Sequence, residues 1–417
     1  MLPPDEQKPQ KWTILPYYAA GAVSFLLVTF LCMISADSFK GHFFQPHILG
    51  ITHLFILGWA TMIIFGATNQ LSPFLAESKL YSERLPVIIL FIKAIGIVLL
   101  VYSFWCFSLI WTIYTGGAMI VLAMFIHAFN IFKTFAHGKK SIVGQFMLTA
   151  HIWLLLTAII GFLLLINLRI PYLPKEHLAY LRMHASIGMV GWFLQLIIGV
   201  SSRLIPMFLL SSNENKKGLD ITYYSINAGL VLFLAEGFMN DSWMGKVIAS
   251  ILVASGLIAY LLYVKNCYTK AIKKSLDEGM KQTMLSLALT SIPFLLLFVA
   301  FFVSNKTSIP VVLAYGFSFF GGFISTIIMG QTFKTLPYIV WMHLNKPDKL
   351  PDILPKDLYR ERWVKWQMRL YLPGFLTFLT GIITQYGALL YLGGALMFLA
   401  ACLYCLHVFL ILNRQKA

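Results

Sequence analysis

The stretch Gly191-Trp192-Phe193-Leu194-Gln195-Leu196-Ile197-Ile198-Gly199-Val200-Ser201-Ser202-Arg203-Leu204-Ile205-Pro206 decides the fold, because its skeleton stands in the chain three times. The other copies are Gly58-Trp59…Gly66…Gln70…Pro73 and Gly322-Phe323…Gly330…Lys334…Pro337. The spacings inside the copies are identical, and the copies lie 133 and then 131 residues apart. A long fixed period marks one structural unit used repeatedly. Around each copy the sequence is apolar over more than the roughly 20 residues a membrane helix needs. The glycines allow helix backbones to approach closely, and the proline ends or kinks the helix near the polar residue three positions before it. This skeleton is scaffold.

Working outward, twelve apolar windows occur, with centres near Val23, Met62, Val98, Met119, Leu156, Trp192, Leu230, Ala254, Leu289, Ser318, Phe378 and Ala400. The expected architecture is an all-α membrane protein. It has twelve transmembrane helices, arranged as three pseudo-threefold repeats of four helices, in a single membrane domain over 1–417. The repeats run approximately over 13–140, 141–275 and 276–417. Composition agrees, since 59% of residues are hydrophobic and 12% charged. The polar, proline-rich first twelve residues read as no cleaved signal peptide.

The net charge of +16 is explained by topology. With the amino terminus in the cytoplasm, 25 Lys and Arg fall on the inner side and 6 on the outer, while Lys93 lies within the third helix. That asymmetry places both termini inside the cytoplasmic membrane. The basic excess attracts anionic lipid and implies no nucleic acid. Five scattered cysteines make no disulfide framework. Cys402 and Cys405 stand one turn apart inside the last helix, where two thiols read as small packing groups.

Ten histidines remain, and imidazoles inside membrane helices are functional hypotheses by default. His42, His47 and His177 read as outer-surface residues, and His137 and His343 as inner-loop residues. His53 and His184 stand six residues before Trp59 and eight before Trp192, in the outer part of two motif helices, and the other copies carry no histidine there. Two neutral imidazoles from separate helices can clamp a haem iron. The alternative is that each makes an interhelical hydrogen bond. His127 and His407 occupy similar places at the ends of their repeats, which points to structural roles. His151 lies in the inner half of the fifth helix. For these three, electron transfer or a second metal centre is the other reading.

Here the residues resemble a family. Twelve helices in three four-helix units, with histidines on the outer part of the second and sixth, are similar to the haem-copper oxidase subunit I superfamily. Gln45-Pro46-His47…Thr52-His53-Leu54, Met183-His184…Gly191-Trp192 and Lys334-Thr335-Leu336-Pro337-Tyr338 look like its small oxidase-like branch. They are also similar to NnrS-type haem and copper membrane proteins linked to nitric oxide stress. The resemblance puts His53 at the low-spin haem ligand of the second helix, and His184 where the sixth helix carries a copper ligand. It implies one haem b with His53 and His184 as axial ligands and Arg182 and Arg169 as propionate partners. His47 and His151 are weaker metal candidates, and the copper ligand set is incomplete. The seventh and tenth helices lack the family's histidines, no arginine pair stands in the last hairpin turn, and Glu236 is the one carboxylate expected within the apolar spans, close to the outer end.

The function this implies is a haem b-binding, cytochrome c oxidase subunit I-like membrane protein. It would work in electron transfer, or in binding or response to nitric oxide or dioxygen, without proton pumping and in an accessory rather than catalytic role. It would meet an electron donor or partner subunit at its outer loops. The alternatives are a copper or small-solute transporter, and a nitric oxide reductase-like enzyme.

Overall fold

A computed structural model describes residues 10–212, 216–239, 242–302, 309–344 and 353–414. Among them, eleven helices are long and apolar enough to cross a membrane. They are α1 (Lys11–Ile34), α2 (Pro46–Ala76), α3 (Arg84–Trp105), α4 (Trp111–Ala136), α5 (Ile142–Arg169), α6 (His177–Leu209), α7 (Lys216–Phe238), α8 (Trp243–Thr269), α9 (Glu278–Val299), α10 (Ile309–Leu344) and, last in the chain, α12 (Gly387–Asn413). The expected span centred on Phe378 falls in α11 (Glu361–Thr384). Its first turns carry Glu361, Arg362, Lys365 and Arg369, so it lacks the apolar length of the others. No strand occurs among the described residues. Residues 345–352 of the inner segment from Met342 to Trp366 lie outside the described residues.

The chain forms two compact units. One contains 71–96 and 109–275, the other 9–70, 97–108 and 276–417. In the first unit α5 packs against α4 and α6, and α7 pairs with α8. In the second, α12 packs against α1 and α11, and α9 against α10.

Each motif stretch holds a π-helical segment: Leu54–Ala60 in α2, Ile187–Leu194 in α6 and Ser318–Ile324 in α10. Each segment begins four residues before the motif glycine, so Trp59, Trp192 and Phe323 occupy the same place in the wide turn. A π-turn inserts a residue into the helical ladder and is common at functional sites. All three aromatic side chains are buried.

The second motif glycine sets helix approach. A Cβ on Gly199 would lie 2.5 Å from Phe146 Cβ of α5, and one on Gly66 would lie 2.8 Å from Tyr17 Cβ of α1. In lipid, where helices gain little from leaving one apolar medium for another, such close packing holds them together.

The motif prolines do not stop their helices: Pro73, Pro206 and Pro337 all lie inside them. The first two helices close one turn later by the same device. Glu77 and Leu210 take φ of 52° and 51°, and the carbonyls of Pro73 and Pro206 accept the N–H of Ser78 and Ser211 at 3.1 and 2.9 Å. This is the left-handed C-terminal cap that satisfies otherwise orphaned carbonyls. The third helix continues to Leu344, which places His343 in its last turn and not in a loop. Lys334, at the polar position of that motif, pairs with Asp277 at 2.5 Å at the start of α9.

Candidate functional site

His53 is the last α-helical residue before the first π segment, and His184 stands three residues before the second. His53 Nδ1 lies 2.8 Å from the carbonyl of Leu49, one turn back on α2. His184 Nδ1 lies 2.9 Å from the carbonyl of Thr157 on α5. A carbonyl can only accept, so in both residues Nδ1 carries the proton and Nε2 presents a lone pair. That is the tautomer a metal-ligating histidine uses, with its other nitrogen held by a backbone acceptor. Both side chains are half-buried. The ring of Phe104 stands 4.7 Å from the ring of His53. Gly161 makes the room for His184, because a Cβ there would sit 2.7 Å from its Cε1. Each imidazole therefore fits an axial haem ligand in tautomer and support.

The other candidates have different surroundings. Arg169 ends α5 and Arg182 lies two residues before His184; both are exposed. His47 sits in the first turn of α2, with Nδ1 3.1 Å from Ser38 Oγ and its ring 4.4 Å from that of Trp105. His177 Nδ1 is 3.1 Å from Asn167 Nδ2. His407 Nε2 accepts the backbone N–H of Arg360 at 3.0 Å, at the start of α11, and its ring lies 4.6 Å from Phe333. That histidine holds a helix start in place.

His151 belongs to a second constellation, inside the first unit. It is fully buried, and its Nδ1 donates to the carbonyl of Met147 at 2.7 Å. Its ring centre stands 5.3 Å from that of His127 on α4 and 5.1 Å, edge-on, from Trp192. His127 is likewise fully buried, and its ionisable neighbours include His151 and Lys93 of α3. Lys93 too is wholly buried, within an apolar helix of 22 residues. The sequence marked Lys93 only as a charge inside the third helix and gave His127 a structural role. The signal that could have found them is the rule already applied to His53: an ionisable residue at membrane depth needs a reason.

Among the described residues no three His, Cys, Asp or Glu side chains converge. A copper centre built on three such ligands therefore does not fit them.

These features define a multi-pass helical membrane protein with imidazoles bonded to backbone carbonyls beside π-turns. In fold it is similar to a haem-copper terminal oxidase solved as a dimer by cryo-EM, with a TM-score of 0.66 at 13% identity over 95% of this chain and 84% of that one. No protein-family model matches the chain, and no curated protein is similar to it in sequence. The chain thus shares the fold of that oxidase at 13% sequence identity.

Proposed function

We propose that the chain is a haem b-binding protein of the cytoplasmic membrane, with both termini inside. It works in electron transfer, or in binding or response to nitric oxide or dioxygen, without pumping protons. The observation that carries the reading is the shared state of His53 and His184, each donating from Nδ1 to a backbone carbonyl, the tautomer of a histidine that ligates through Nε2. A bound haem supplies a one-electron iron centre, and a gas-binding position where an axial site opens. The chain supplies the rest. Leu49 and Thr157 fix the tautomers and ring orientations, Gly161 admits the His184 ring, and Phe104 covers one side of His53. The exposed guanidinium groups of Arg182 and Arg169 suit propionate carboxylates. An electron donor or partner subunit would dock on the outer loops.

The same proposal includes the architecture: twelve membrane helices as three four-helix units over approximately 13–140, 141–275 and 276–417. The three π segments at one place in the motif, and the shared caps after Pro73 and Pro206, support it.

The test is substitution. His53→Ala and His184→Ala are each expected to lose the haem of the purified protein while keeping its elution volume in detergent. Retention of the full haem content in both variants would refute the assignment, whatever the fold.

A further inference from the structure

We propose that one end of the first unit is a docking surface for anionic phospholipid headgroups, formed by lysines of α7, α8 and the segment that follows α8. Lys216 and Lys217 stand in the first turn of α7, Lys265 and Lys270 at the end of α8, and Lys273 and Lys274 just beyond it; all six are exposed. Helix pairing brings them together. A Cβ on Gly256 would lie 3.1 Å from the carbonyl oxygen of Thr222, and one on Gly229 2.8 Å from that of Ala249. In this antiparallel register Lys216 is level with Leu262, and Lys265 lies about 4.5 Å further along. Ala271 then forms an antiparallel bridge with Ser211, and the N–H of Lys273 donates to the carbonyl of Leu209 at 3.2 Å. Residues 270–274 are thereby held against the end of α6, just ahead of the start of α7.

Charge selects an anionic partner. Among the described residues none of the six lysines pairs with a carboxylate. Their acidic neighbours in sequence are Asp220 and Glu214, the latter outside the described residues, which leaves a surplus of four positive charges. The second unit shows the opposite pattern, with Lys334 paired to Asp277, Lys281 to Glu278, and Lys365 to Glu278 and Glu361. A topological bias in charge acts on both units alike, so it does not by itself account for cations that are paired in one and unpaired in the other. Position then selects lipid among anions. The lysines stand at the ends of helices long and apolar enough to cross a membrane, and Leu210, Leu262, Tyr268 and Ile272 are exposed on the same segments. Such a surface offers apolar side chains to acyl chains and ammonium groups to phosphates, and clustered lysines at this depth bind anionic headgroups.

The experiment uses the full chain in detergent. Phosphatidylglycerol and phosphatidylcholine with matched acyl chains are titrated separately, and bound lipid is counted by native mass spectrometry. Phosphatidylglycerol is expected to be retained and phosphatidylcholine not, with retention falling as salt rises. Each lysine removed should weaken it about 5-fold, so Lys270→Gln/Lys273→Gln/Lys274→Gln should weaken it on the order of 100-fold. Lys281→Gln/Lys356→Gln/Lys365→Gln, an equal loss of charge in the second unit, should leave it within about twofold. Elution volume in detergent checks that each variant is folded, and Lys216→Gln/Lys217→Gln gives a second, independent loss of about 25-fold. The proposal is overturned if the two lipids are retained equally, if both patch variants keep phosphatidylglycerol, or if the second-unit variant loses as much as the patch. It also fails if a polyglutamate peptide is retained where phosphatidylglycerol is not, since the surface would then belong to an acidic protein segment. Haem plays no part in the count, so failure here leaves the haem reading standing, and the reverse holds as well.

Discussion

Trp59 and Trp192 occupy the same place in their π segments, yet their neighbourhoods differ in kind. Trp59 is enclosed by packing partners. Its indole stacks on Phe25 at 4.3 Å, meets Tyr404 edge-on at 5.1 Å, and donates to Ser325 Oγ at 3.1 Å. Trp192 stands edge-on to His151, and beyond that ring lie His127 and the wholly buried Lys93. One backbone device thus supports two kinds of interior, an aromatic core and a basic cluster. A repeated scaffold fixes where a side chain sits along its helix, and the helices packed on it decide what that place can do. His127 and His407 make the same point. They hold similar places at the ends of their repeats, but one faces His151 and the other caps the start of α11.

Three tests probe this contrast. The largest effect belongs to what the two regions share. Gly199→Val and Gly66→Val would drive a side chain into Phe146 and Tyr17, and each should cost about 3 kcal/mol of stability, read by thermal unfolding in detergent. A large loss in one and none in the other would break the equivalence of the two motifs. Next comes Lys93→Met, which has no counterpart in the aromatic core. Replacing this wholly buried base by an apolar side chain of similar length is expected to stabilise the fold by about 2 kcal/mol. A drop in melting temperature would show that Lys93 is held by compensating interactions. The smallest effect separates the tryptophans. Trp59→Phe removes the indole's hydrogen bond to Ser325 Oγ and should cost about 1 kcal/mol more than Trp192→Phe. The reverse order would mean that the indole beside His151 carries the greater structural load.

Much of the fold was legible because membrane spans leave a compositional trace. The apolar windows locate eleven of the helices, and the charged first turns of α11 explain why its span is fainter. The motif spacing located the three wide turns without revealing them as π-helical, since one extra residue in the ladder changes no composition. The prolines misled in one respect. Pro73 and Pro206 lie within helices that close a turn later on left-handed Glu77 and Leu210, residue types that give no warning of such a cap. Of the candidate site, the ligand tautomers of His53 and His184 could not be read, because they depend on which carbonyl each ring meets. Nor could the meeting of Lys93, His127 and His151, which come from three helices whose mutual rotation no period records.

The proposed function rests on haem, so the most direct measurement is an absorbance spectrum of the purified chain, oxidised and dithionite-reduced, with a pyridine haemochrome assay on the same sample. The result expected is about one b-type haem per chain, with sharp reduced bands. A colourless protein, from cells supplied with haem during expression, would contradict the proposal and leave the oxidase-like fold without its cofactor.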